Sequence, residues 1–218
     1  MKINHKEEIV RIDAGGVVLE GNLSIPENAR GIVLFAHGSG SSRFSSRNRY
    51  VAQMLQSVGL GTLLIDLLTP DEEIIDEQTR HLRFNIEMLA ERLVGVAKWL
   101  KKQSTTEKLN IGIFGASTGG GAALVAAAQI PELIKAVVSR GGRPDLAGKN
   151  LPLVQAPTLL IVGGNDGVVI TLNQQAYEQL NAPRQLEIVA GASHLFEETG
   201  TLQKVGELAR DWLVKYLG

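Results

Sequence analysis

The sequence predicts an α/β fold built on an open, mainly parallel sheet with helices on both faces and an antiparallel N-terminal hairpin. Three observations predict it. Short continuous apolar runs recur along the chain, helical stretches separate them, and one early segment alternates residue by residue instead. Strands buried on both faces read as unbroken apolar runs, whereas a half-exposed strand alternates.

The elements follow in order. Residues 7–13 and 17–25 flank Ala14, Gly15 and Gly16. The second of these segments sets Val17, Leu19, Gly21, Leu23 and Ile25 against Val18, Glu20, Asn22 and Ser24. This predicts a half-exposed hairpin at a sheet edge. Apolar runs at 32–36, 62–65, 111–114, 136–139, 158–162 and 186–189 predict strands buried on both faces. Helices are expected at 48–57, 85–100, 119–128, 172–180 and 202–217. The second carries Ile86, Leu89, Leu93, Ala97 and Leu100 on one stripe, and the last buries Leu202, Val205, Ala209, Trp212, Leu213 and Tyr216. Strand and helix in alternation mean parallel strands joined by right-handed crossovers.

Composition bounds the rest. A chain of 218 residues supports one domain, 1–218, with a substantial core. A net charge of −1 argues against nucleic acid or an anionic membrane as partner. No apolar run reaches the roughly 18 residues of a membrane span, and residues 1–8 lack a signal-peptide core. The absence of cysteine excludes a disulfide framework and a thiolate nucleophile, and agrees with a cytoplasmic location. The four histidines lie far apart with no His-x-x-x-His pair, so no metal is expected.

The segment 109–124 carries the chemistry. An apolar run leads into Gly115-Ala116-Ser117-Thr118-Gly119, and an alanine-rich helix follows. A serine at a sharp strand-to-helix turn, flanked by glycines where side chains would collide, is a nucleophile elbow. Its hydroxyl needs an oriented imidazole as base. Asp166 and then His194 follow at later strand ends, giving the order Ser…Asp…His. Asp166 lies in an Asn-Asp-Gly turn, and Asp145, one strand end earlier, is its rival as the acid. His37, in His37-Gly38, reads as a structural hydrogen bonder. The oxyanion hole is expected from the N–H groups of Thr118 and of Ser39, with Gly40 next in line.

With these residues assembled, the chain resembles the α/β-hydrolase superfamily and, within it, the lidless group related to dienelactone hydrolase. The resemblance runs from His37-Gly38 through the serine elbow, Gly164-Asn165-Asp166 and Ala192-Ser193-His194 to the last helix. It implies hydrolysis of a small-molecule ester, thioester or lactone through an acyl-enzyme on Ser117, without cofactor. Dienelactone hydrolases proper use a cysteine nucleophile, and this chain has none.

Two other classes remain open on the sequence. One is a catalytically inactive hydrolase fold serving as a binding module. The other is an NADP-dependent short-chain dehydrogenase-like protein, because Gly115, Gly119 and Gly121 match a phosphate-cradling turn and Arg140 ends the next strand. Against it, two parallel strands and the hairpin precede that turn, and no tyrosine has a lysine four residues on. Arg43, Arg47, Arg49, Arg140 and Arg143 follow strand ends, so they face either solvent or an anionic substrate. The acidic segment 70–77 is expected to cover one side of the site. The stretch between residues 140 and 158 is about 16 residues, too short for a large helical lid.

Overall fold

Eight strands form one sheet in the computed structural model, which describes residues 7–218. In chain order the elements are β1 (Glu7–Asp13), β2 (Val18–Ser24), β3 (Gly31–Ala36), α1 (Ser46–Gln56), β4 (Leu60–Ile65), α2 (Pro70–Thr79) and α3 (Ile86–Leu100). There follow β5 (Asn110–Ala116), α4 (Thr118–Gln129), β6 (Ile134–Arg140), β7 (Thr158–Gly163), α5 (Gly167–Gln179), β8 (Arg184–Val189) and α6 (Thr201–Leu217). The spatial order is β1-β2-β4-β3-β5-β6-β7-β8. β1 and β2 are antiparallel, β2 meets β4 antiparallel, and the other neighbours are parallel.

The predicted layers are present. One sheet face carries Leu34, Ile113 and Leu160 under the apolar stripe of α3, the alanines of α4 and Ala176 of α5. The other carries Phe35, Phe114, Val138 and Ile161 under α1 and α6, with Val51, Leu55, Trp212 and Leu213 facing them. Residues 118–127 of α4 are all buried, which their small side chains permit. No helix is long and apolar enough to cross a membrane among the described residues.

The strand order reverses beside β3: β4 lies on one side of it and β5 on the other. Crossovers therefore leave to opposite faces and open a crevice at the carboxyl ends of β3 and β5, where such sheets bind ligands. Ala36 and Gly115 are register partners there, so the loop after β3 and the turn after β5 emerge side by side.

Three local readings differ from expectation. β2 alternates between exposed and buried only over its first half: Asn22 and Ser24, on the supposed outer face, are buried. Asn22 is held there by Arg43 Nε at 3.0 Å and by Glu7. β8 is not buried on both faces but is the far edge strand, with Ile188 exposed. Segment 70–79 is a helix that the apolar periodicity did not reveal. Its start is nevertheless written in the sequence: Thr69 Oγ1 accepts from Glu72 N, the Glu72 carboxylate accepts from Thr69 N at 2.8 Å, and Pro70 sits in the first turn.

Candidate active site

Ser117 directly follows β5 and caps α4 with φ 50° and ψ −122°, a backbone conformation that non-glycine residues rarely hold. It persists because its surroundings fix it. Ser117 N donates to Arg140 O at 3.2 Å, while Ser117 O accepts from Gly120 N and Arg143 N, both at 3.0 Å. The flanking glycines are steric necessities. A Cβ on Gly115 would lie 2.5 Å from Gly119 O, and one on Gly119 would lie 2.3 Å from Ala36 O and 2.5 Å from His37 O. α4 thus starts in backbone contact with the ends of both β5 and β3.

The acid and base loops are drawn together in the same way. Asn165 N donates to Ala192 O and Asn165 Nδ2 to Gly191 O, both at 2.9 Å. A Cβ on Gly163 would lie 2.5 Å from the carbonyl oxygens of Ala192 and Ser193, so only glycine allows this approach. The result is a chain of three side chains. His194 Nδ1 donates to Asp166 Oδ2 at 2.6 Å, and His194 Nε2 stands 3.3 Å from Ser117 Oγ. With the Nδ1 proton committed to the carboxylate, the Nε2 lone pair faces the serine hydroxyl. Asp145, the rival acid, lies elsewhere: Arg143 binds it bidentately at 2.7 and 2.8 Å.

Sequence reasoning missed the braces of the histidine loop. Glu198 accepts from Ser193 N at 3.0 Å, and hydrogen bonding to the Ser193 backbone holds its carboxyl below the usual value. Phe196, two residues after His194, is buried with φ 55°. An Asn or Gly is the usual marker of positive φ, so nothing in the sequence signalled this turn.

His37 is the structural hydrogen bonder expected. Its Nε2 accepts from Leu67 N at 3.1 Å and its Nδ1 donates to Gly38 O at 2.9 Å, which ties the end of β3 to the loop after β4. Burial pushes its pKa below 6.5, so the ring is neutral.

The expected oxyanion donors are close together but not both free. Thr118 N–H, at the first position of α4, has no intrahelical acceptor and lies at the positive end of the helix dipole. Ser39 N–H instead donates to Thr118 Oγ1 at 2.9 Å. Ser39, Gly40, Leu67, Leu68 and Thr118 line a slot of about 10 Å³. It adjoins a cleft of about 570 Å³, sharing Gly40, Leu68, Glu73 and Arg83 with it. Pro70, Glu73 and Glu77 of segment 70–79 line this cleft, whose walls include none of Ser117, Asp166 and His194. Burial, with Asp76, Asp66 and Glu77 nearby, raises the Glu73 carboxyl above its ordinary value against the pull of Arg83.

The arginines at the strand ends divide sharply. Arg43 pairs with Glu20 and Asp66, Arg47 with Glu197, Arg49 with Glu7 and Arg143 with Asp145. Arg140 is buried against Asn48 Oδ1 and the Phe196 ring, and burial brings its pKa down to about 10.

Comparison with known proteins bears on the fold and the family. A dienelactone hydrolase from Anabaena variabilis shares 61% identity with the chain, covers 98% of it and 99% of its own length, and superposes with a TM-score of 0.97. Est1E from Butyrivibrio proteoclasticus has the same fold at 17% identity, with a TM-score of 0.79 over 95% of this chain and 98% of its own. A Mycobacterium tuberculosis protein whose name proposes a phosphoribosyl transferase is 57% identical over 97% of the chain. The chain spans about half of that relative, 47% of its length. The family model for dienelactone hydrolases matches residues 19–212, and with it the whole constellation from the His37 loop to His194: the chain belongs to the dienelactone hydrolase family.

Proposed function

We propose that the protein is a serine hydrolase that cleaves a small ester, thioester or lactone through an acyl-enzyme on Ser117. The observation that carries this is the continuous contact from Asp166 through His194 to Ser117, with the serine on a strained elbow at the start of a helix. His194 Nε2 takes the proton of Ser117 as Oγ bonds to the acyl carbon. The carbonyl electron pair moves onto oxygen, where the Thr118 N–H and the dipole of α4 stabilise it. His194 then returns the proton to the leaving oxygen or sulfur. In the second half it deprotonates water for attack on the acyl-serine, while Asp166 fixes the tautomer and balances the imidazolium charge.

Serine in place of the cysteine of dienelactone hydrolases proper favours general esterase chemistry over their particular lactone. The transferase in the mycobacterial relative's name concerns a protein about twice this length, and no observation at this site favours it here.

A fluorophosphonate probe, paired with p-nitrophenyl esters of increasing acyl length, tests the reading. Wild-type protein should be labelled and should turn over short esters. Ser117→Ala should abolish both, and His194→Ala nearly so, because nucleophile and base act as a unit. Unchanged labelling in Ser117→Ala would refute the nucleophile. A wild type that is neither labelled nor active on any ester would leave a hydrolase fold used for binding.

A further inference from the structure

We propose that the Thr118 hydroxyl is itself an oxyanion donor, and that Ser39 acts through it rather than on the substrate. The proposal deepens the acyl-enzyme reading and rests on it. The nitrogen expected to face the substrate carbonyl, Ser39 N, already faces a hydroxyl, with its N–H donated to Thr118 Oγ1 at 2.9 Å. Thr118 is 4% exposed. Its hydroxyl accepts one bond, and among the described residues its own proton has no acceptor. The hydroxyl is thus held in place as an acceptor, and its proton stays available to a further acceptor.

The position of that proton gives it a use. Thr118 directly follows the nucleophile and opens α4. Its N–H and Oγ–H belong to one residue and can converge on one acceptor. Thr118 borders the small slot together with Ser39 and Gly40, and the volume of about 10 Å³ is close to that of one water-sized group. When Ser117 Oγ bonds to the acyl carbon, its proton passes to His194 Nε2 and the carbonyl pair moves onto oxygen. That oxygen then accepts two hydrogen bonds from Thr118, one from N–H and one from Oγ–H, and takes up no proton. Ser39 N–H, donating into Oγ1, polarises the hydroxyl and makes it a stronger donor. Ser39 is thereby a positioning residue and Thr118 a catalytic one.

The rival account is that the hydroxyl only occupies Ser39 N–H and must turn away before Ser39 can serve the substrate. The two predict opposite effects of Thr118→Val, which keeps the shape, deletes the hydroxyl and releases Ser39 N–H. The assay is kcat and KM on p-nitrophenyl acetate, with the inhibition constant of a trifluoromethyl ketone whose serine adduct carries the oxyanion. Thr118→Val should lower kcat by about 10- to 100-fold and weaken the ketone comparably, with KM within about threefold. That lies at or below the usual cost of losing one oxyanion donor, because the freed Ser39 N–H remains nearby. Thr118→Ser should restore kcat to within about threefold of wild type. Should Thr118→Val melt early, Thr118→Ala read against Thr118→Ser makes the same comparison. A hydroxyl-free variant as fast as wild type, or faster, overturns the proposal while Ser117 labelling leaves the acyl-enzyme reading intact. Loss of labelling in wild type would overturn both.

Discussion

Gly119→Ala tests whether the elbow depends on backbone contact between α4 and β3. The added methyl would lie 2.3 Å from Ala36 O and 2.5 Å from His37 O, and neither is the yielding end of a side chain. Reaching an ordinary contact distance requires a displacement of about 1 Å. Either α4 moves with Ser117 and Thr118, or the end of β3 moves with His37 and Ser39. Overpacking of this kind costs about 1–3 kcal/mol. For a domain of this length that is a fall of about 2–12 °C in Tm. Activity should suffer more, since a 1 Å misplacement of reacting groups costs about 100-fold. We expect kcat/KM on p-nitrophenyl acetate to drop by about 100-fold or more. Gly167→Ala is the control. It stands next to Asp166 at the start of α5, yet a Cβ there meets nothing within 4 Å and its φ is unexceptional. It should keep full activity and gain a few tenths of a kcal/mol, roughly, from reduced freedom of the unfolded chain. Gly119→Ala with activity within about threefold of wild type and an unchanged Tm would refute the steric argument.

Asp166→Asn should lower kcat by about 10⁴-fold, the cost of a lost tautomer-setting carboxylate, whereas Asp145→Asn, which only frees Arg143, should cost a few-fold at most; the reverse ranking on the same ester would move the acid to the earlier strand end. His37 is buried and its pKa is depressed, so the fold binds fewer protons there than the unfolded chain. Its contribution is therefore complete above the unfolded value of 6.5 and is lost as pH falls through the folded one. Melting curves from pH 7.5 to pH 5 should show wild type losing more stability than His37→Gln, and parallel losses would refute a neutral His37. An ester bearing a free carboxylate should show no kcat/KM advantage over its neutral isostere at low salt, because four of the five strand-end arginines already hold carboxylates; a preference that salt abolishes would restore the anion-binding reading.

The parts of this molecule that could be read from its sequence are those set by short-range rules. Apolar runs marked each parallel strand, helical periodicity marked α3 and α6, and Gly-x-Ser-x-Gly marked the elbow because a steric requirement left glycines within two residues of Ser117. α2 was also legible, from Thr69, Pro70 and Glu72, but apolar periodicity is the wrong signal for a helix whose only fully buried residue is Asp76. Desolvation opposes the charge of Asp76, yet hydrogen bonds from Arg83 and from the Leu82 backbone hold its carboxyl below the ordinary value. That pairing replaces the apolar stripe that the periodicity required.

What escaped the sequence depends on which distant segments meet. The exposure of β8 follows from its place at the end of the strand order, which its own residues do not state. The arginines make the point for function. Arg43, Arg47 and Arg49 sit together in the sequence and read as a basic patch beside the site. Their carboxylates come from β1, β2, the end of β4 and the histidine loop, in Glu7, Glu20, Asp66 and Glu197. A local excess of positive charge is thus cancelled in space by residues up to 150 positions away. The same logic applies to the oxyanion loop. Ser39 and Thr118 are 79 residues apart, each reads alone as a backbone donor, and only their contact reveals that the Ser39 N–H is already engaged by the threonine hydroxyl.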